Sequence, residues 1–569
     1  MQTKQVNDFV DFIRQYDITS ADYTKIFDEY TKTVQFEVKS SINEMIINKL
    51  KTNPSSVIIT GNAGDGKTRI CRNVYEALKG SKLESWSRSG VETIEYKGKR
   101  FHIVKDLSEL SDEKIYNILD SLVSSIHSNN DFYVIAANEG KLTYSLYSKE
   151  EYKELIEVIE PQFSNVNFES DAKIKLYNLL HTSTSIFAQK IIEEWNSEEN
   201  WSICNSCSVK NKCILNHNHQ QLSKENVLKR IFRLYQSLDA LEVHMTMREL
   251  LIQLAYVHLG GLNCKDIHEA NSEELRKQSN KVYYQNLFGV NIDADMFNDI
   301  PGITEIKKFD PGRSSHSTID DFIMNGDLAD ESVVELHHSL YGTQIDTDFG
   351  YFTILMNKYR TNKELEIDLK ENITNFWLPR LRRKYFFEAK HKGYQGEKLL
   401  PFKYRRGYIQ NIEQQKEISL EMREKIVQGL NNYFSKQLVY SPENALYVVS
   451  EKLFVYRIVN FSDIVWETEN SNSHYDRRAS VYYIRVGEAR LKIDLSVFEY
   501  LCRIADGGLR HILHEDVEIR LQNFKNKLIS TNVFSSESLL QILKYDRKRD
   551  AYMLRKIEIL NETQDTDDW

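Results

Sequence analysis

The chain is short of proline, of long apolar runs and of cysteine, and each shortage excludes something. Only 7 of 569 residues are Pro, so long disordered or polyproline linkers are not expected. No apolar run reaches the roughly 20 residues that cross a bilayer, so no membrane segment is expected. The N-terminal stretch MQTKQVNDFVDFIRQYDI has no charged-then-apolar signal pattern, which predicts a cytoplasmic location. Six cysteines, three of them clustered, do not make a disulfide framework. A positive surplus is also missing. Lys and Arg number 74 against 83 Asp and Glu, a formal net charge of −9, so the surface as a whole does not attract nucleic acid. Any DNA contact must come from a local patch. The tail NETQDTDDW is acidic and is expected to fray.

What is present is a phosphate-binding signature. Residues 56–68 read SVIITGNAGDGKT, in which Gly61, Gly66, Lys67 and Thr68 fit G-x-x-x-x-G-K-[ST]. A β-branched apolar run precedes the loop and the helix-like RICRNVYEALKG follows it. Strand, glycine loop and helix are the context this motif requires. Glycines let successive N–H groups turn inward on phosphate oxygens, and the helix N-terminus adds partial positive charge. The expected nucleotide set is Gly61, Asn62, Ala63, Gly64, Asp65, Gly66, Lys67, Thr68 and Arg69, with ATP and Mg²⁺ as ligands. Lys67 reaches the β- and γ-phosphates in this reading, and the Thr68 hydroxyl ligates Mg²⁺.

At this length two to four domains are expected. Residues 1–50 read as helical, including NDFVDFIRQY and TKTVQFEVKSSINEMIINKL. Residues 51–200 form the core, with two strands around Lys97-Gly98-Lys99, the helix SDEKIYNILDSLVSSIHS and the strand DFYVIAAN. Alternation of strands and helices argues an α/β domain with a mostly parallel sheet, here a P-loop NTPase core of AAA+-like type. From about 150 to 260 the pattern is mainly helical; 201–265 carries a cysteine insert and a helical lid. Residues 265–345 read as mixed and loop-rich, and 346–437 as helical, giving one segment over 266–437. Residues 438–569 read as a C-terminal α+β domain of short strands and two helices.

A P-loop needs a carboxylate for Mg²⁺, usually at the end of an apolar strand. Asp106, after Phe101–Lys105, is the candidate, although Asp-x-Ser is equally good N-cap chemistry. ATPases of the AAA+ type usually place Glu beside this Asp. Here the neighbour is Leu107 and the nearest acid is Glu109, which puts efficient hydrolysis in doubt. Asn138, ending FYVIAAN, resembles the sensor-1 position; the other reading is a strand-ending turn residue. Glu139 is a second candidate base. Arg248 in VHMTMRELLIQLAYVHLGG resembles a sensor-2 arginine, or is a surface arginine on an amphipathic helix. Arg313, Arg382 and Arg383 are candidate arginine fingers for a neighbouring subunit, since a homo-oligomer is possible on this pattern.

Cys204-x2-Cys207-x5-Cys213 is followed by His217 and His219. C-x2-C grips one tetrahedral Zn²⁺, and a third Cys with a His completes a closed structural site. The expected zinc ligands are Cys204, Cys207, Cys213 and His217; the bland reading is a set of free thiols. Between Arg380 and Arg406 ten basic residues (Arg380, Arg382, Arg383, Lys384, Lys390, Lys392, Lys398, Lys403, Arg405, Arg406) meet only Glu388 and Glu397, with six aromatics interleaved. The aromatics read as core. The charges fit a DNA contact or a subunit interface.

Read together, IITGNAGDGKT, HIVKDLSEL, VIAANEG, the C-x2-C-x5-C insert, HMTMRELL…LGG, FDPGRSS…IDDF and IDLSVFEYL resemble the DptF family of DNA phosphorothioation-dependent restriction proteins, over about residues 40–540. The resemblance implies an ATPase component of a bacterial defence system. It implies action with DptG- and DptH-like partners against DNA lacking phosphorothioate modification, with DNA reached through the complex. No nuclease constellation is visible. The alternatives are a BREX-like defence ATPase, or a nucleotide-dependent scaffold with little turnover.

Overall fold

A computed structural model describes residues 6–17, 38–126, 130–164, 173–292, 301–342, 349–361, 367–391, 393–413, 417–450, 452–469, 476, 481–508, 515–530 and 539–558. The expected helical pattern over 31–37 and the acidic tail lie outside these residues. The chain forms two compact units. The first takes residues 1–239, 243–401 and 472–478; the second takes 240–242, 402–471 and 479–569. The segment read over 266–437 is divided between the two units after residue 401.

The first unit is α/β. Its sheet holds β1 (Ser56–Thr60), β2 (Val91–Tyr96), β3 (Lys99–Val104), β4 (Asp131–Ala137) and β5 (Ile174–Asn178), in the order β2-β3-β4-β1-β5. β1, β3, β4 and β5 run parallel, and β2 is an antiparallel edge strand hairpinned to β3. That hairpin follows from Lys97-Gly98, where φ is +52° and +74°, the left-handed pair of a type I′ turn. β1 is buried at all five positions, as expected of a parallel strand covered on both faces. Val57, Ile59, Val134 and Ala136 pack with α2 (Ser41–Thr52) and α3 (Lys67–Lys79) on one side. Ile58, Ile135 and Ala137 pack with α4 (Asp112–Ile126), α5 (Glu139–Leu146) and α6 (Lys153–Ser164) on the other.

Two expectations are corrected. The stretch 150–260 is mainly helical as expected, but it also carries the unexpected edge strand β5, Ile174–Asn178. The region 265–345 is also less loop-rich than expected. Described helices cover Cys264–Glu269, Ser272–Gln278, Tyr283–Asn286, Pro301–Lys307, Ser317–Asn325 and Glu331–Tyr341.

The second unit is α+β. A three-stranded antiparallel sheet (Val465–Glu469, Val481–Val486, Ala489–Ile493) and two hairpins (Leu446–Val449 with Val455–Val459, Leu539–Asp546 with Ala551–Glu558) accompany helices Leu420–Ser435, Leu495–Ala505 and Glu515–Ser530. Ile484, Leu491, Leu430, Leu501 and Leu521 share its core. Among the described residues no helix is long and apolar enough to cross a membrane.

Candidate functional site

All four parallel strands finish on one edge of the sheet, and each leads into a polar residue. β1 gives way to the glycine loop, β3 to Asp106, β4 to Asn138, and β5 ends at Asn178. Thr60 is in register with Ala137 on one side and Asn178 on the other, so the loop rises between those two strand ends. In open α/β sheets the crevice at the carboxyl ends of the strands is where ligands bind.

Gly66 caps α3 at φ +86° and has no side chain to accept from the first turn of the helix. A Cβ at Gly66 would meet nothing within 4 Å; the backbone angle, not space, demands glycine here. Lys67 is only 7% exposed. Its Nζ donates to Gly61 O at 3.0 Å and Asn62 O at 2.7 Å. Burial holds this ammonium below its ordinary range, while Asp65 and Asp106 act in the opposite sense. Thr68 and Arg69 stand on the first turn of α3, half-buried and exposed.

Asp65 closes the loop. One carboxylate oxygen accepts from Asn62 N at 2.6 Å, and the other lies 2.8 Å from His244 Nε2. His244 belongs to a segment that docks on the loop. Arg248 N donates to Gly64 O at 3.1 Å. Thr246 and Glu249 form a capping box that starts the helix Met247–Leu259. A Cβ on Gly64, whose φ is +99°, would come within 3.0 Å of Arg248 Cβ. The structure thus brings Arg248 to the loop through its backbone. It adds His244, which carries no motif and which sequence alone does not mark.

Asp106 caps the turn Leu107–Glu109, accepting from Ser108 N at 2.8 Å. It also lies close enough to Lys67 and Cys71 to act on both electrostatically. Leu107 is fully buried. Glu109 pairs with Lys105 at 3.1 Å. Asn138 caps α5 through Gly140 N at 3.0 Å, and its own N–H donates to Ser108 Oγ at 3.4 Å. Glu139 accepts from Asn178 Nδ2 at 3.3 Å, a link across the end of β1. Asn178 carries no motif either; only its place at the end of β5 marks it.

Two of the three candidate fingers are committed elsewhere. Arg383 makes a bidentate pair with Asp310 at 2.8 and 2.7 Å and reaches Gln285 at 3.0 Å. Arg382 pairs with Asp320 at 2.7 and 2.8 Å. Arg313 is exposed. The basic stretch is dissolved by the same pairing. Arg380, Arg382, Arg383, Lys384 and Arg405 are buried, and Lys384 bonds Glu388 at 2.9 Å. Among the described residues Lys390, Lys398, Lys403 and Arg406 are exposed. Lys392 lies outside them.

The cysteine cluster forms a second centre. Cys204, Cys207 and Cys213 line one cavity of about 20 Å³ together with Cys264, His268 and Asn7. His217, expected as the fourth ligand, does not line it. It points from the helix Ile214–Leu222 to surroundings that include Glu388, Lys384 and Lys224, and burial pushes it down to about 4. His219 instead stacks on Trp201 and bonds Asn196. Among the described residues no three metal-ligating side chains are closed around a single point.

Compared with family models, with curated proteins and with solved structures, the chain matches none.

Proposed function

We propose that this chain binds a nucleoside triphosphate, ATP with Mg²⁺, at Gly61–Thr68 and hydrolyses it. The observation that carries the reading is the placement of Lys67 Nζ on the loop carbonyls of Gly61 and Asn62, beneath an uncapped helix N-terminus. An ammonium and uncapped N–H groups converging in a glycine loop suit a polyphosphate and little else. The donor set fits the metal as well: the Thr68 hydroxyl and the Asp106 carboxylate would hold Mg²⁺, which when bound neutralises charge on the phosphates. The strand bearing Asn138 lies between the loop strand and the Asp106 strand, so both polar ends flank one ligand position. That order, with the helix Met247–Leu259 meeting the loop, supports the finer reading of an AAA+-like P-loop domain with a helical lid. In this reading Glu139 is the base that orients water and Asn138 contacts the terminal phosphate. The resemblance to the DptF family extends the proposal to an ATPase component of a bacterial restriction system, acting with DptG- and DptH-like partners.

A second reading, a nucleotide-dependent scaffold with little turnover, draws on the acids. Buried Leu107 follows Asp106, Glu109 is tied to Lys105, and Glu139 is tied to Asn178. The test is ATP binding by calorimetry and phosphate release, in the native chain and in Lys67→Ala. Removing the charge-assisted bonds should weaken binding by about 3 kcal/mol, over a hundredfold in Kd, with the fold retained. Unchanged ATP affinity rejects the site. Tight binding without release in the native chain selects the scaffold.

A further inference from the structure

The four cysteines around the small cavity come from three separate pieces of chain. Cys204 lies within the turn Ser202–Ser206 and Cys207 caps it, Cys213 precedes the helix Ile214–Leu222, and Cys264 opens the helix Cys264–Glu269. Cys264 lies 51 residues beyond Cys213, and the fold carries it back to line the same cavity. None of the four is in a disulfide.

Three of the four sulfurs are met by an N–H donor, and a histidine nitrogen stands against the fourth. Asn7 Nδ2 donates to Cys204 Sγ at 3.5 Å. The Asn7 backbone N–H is directed at Cys264. The Leu215 and Asn216 N–H groups are directed at Cys213. His268 Nε2 lies 3.7 Å from Cys207 Sγ, placed one helical turn after Cys264. Contacts of this kind orient and support metal-bound thiolates. A cavity of about 20 Å³ takes about one atom, which suits a mononuclear ion.

We propose that Cys204, Cys207, Cys213 and Cys264 bind one structural Zn²⁺ as thiolates, each sulfur giving up its proton, with Asn7 and His268 as hydrogen-bond donors to the sulfurs. Four sulfurs close the tetrahedron and leave no open position. The site fastens the insert to the helix Cys264–Glu269 and, through Asn7, to α1 (Asp8–Arg14). α1 is further held there by Arg14, which donates to Gly261 O at 2.6 Å and pairs with Asp266 at 3.3 Å.

Elemental analysis of the full chain purified without chelator should give one zinc per chain and no iron. X-ray absorption at the zinc edge should show four sulfur neighbours. Cys264→Ser should lose the metal and His217→Gln should keep it. His268→Gln should keep a four-sulfur zinc with affinity about 10- to 100-fold weaker. The absorption spectrum needs no variant, so it still decides the matter if Cys264→Ser fails to fold. A shell of three sulfurs and one nitrogen, iron with a visible absorption band, or a metal-free chain with a Cys204–Cys207 disulfide would each overturn the assignment.

Discussion

Arg383 can be tested as a structural charge. Its side chain is 7% exposed and that of Asp310 is 2% exposed. Two parallel bonds of 2.8 and 2.7 Å join them, and Asp310 takes one more, from Gly312 N at 2.8 Å. Arg383→Ala leaves a carboxylate buried with a single donor. Breaking a buried pair from one side costs about 3–5 kcal/mol, and most of that is the desolvated Asp310. Asp310→Ala should cost a similar amount. The double replacement Arg383→Met with Asp310→Leu should recover most of it, because a packed apolar pair has no charge to strand. The two-unit chain is not expected to unfold in one step, so the assay is amide hydrogen exchange along the helix Leu378–Glu388 that carries Arg383. A change below about 0.5 kcal/mol in Arg383→Ala, together with abolished ATP turnover, would mean that the guanidinium works at a nucleotide and not in the core.

Two further outcomes follow from the same geometry. Glu139→Gln should slow phosphate release about 100-fold or more, the scale of a general base, while ATP affinity holds; unaltered release would remove Glu139 from the mechanism. Replacing the exposed Lys390, Lys398, Lys403 and Arg406 with Gln should leave hydrogen exchange of both units unchanged. If these side chains neutralise phosphates of duplex DNA, the log–log salt slope falls by about 0.9 for each one replaced; an unchanged slope makes them a solvated face.

Strand β1, the Lys97-Gly98 hairpin and β4 are legible because each has a local signature: a β-branched run, a left-handed turn pair, an apolar run ending in polar residues. β5 is not, because IKLYN runs into the apolar LL that follows, and a short apolar run has no period that separates strand from helix. The glycine loop is legible as a motif. The His244–Asp65 contact is not, because it joins residues 179 apart and no spacing rule covers that distance. The basic stretch misleads for a related reason. A run of positive charge reads as surface until its partners are known, and Asp310 and Asp320 lie more than sixty residues upstream. Cys264-x3-His268 is a visible signal. It has the one-turn spacing that puts both side chains on one helix face, and it follows a helix stop at Gly260-Gly261.

The helix Met247–Leu259 begins against the phosphate loop and ends, two glycines later, beside the turn that leads to Cys264. Thirteen residues make it about 20 Å long. Were the proposed nucleotide and zinc both bound and their affinities coupled through this helix, the coupling would be reciprocal. Whatever factor nucleotide adds to the hold on the metal, the metal returns to the hold on nucleotide. On that reading, oxidation of one thiol at the far end would register as a weaker grip on phosphate.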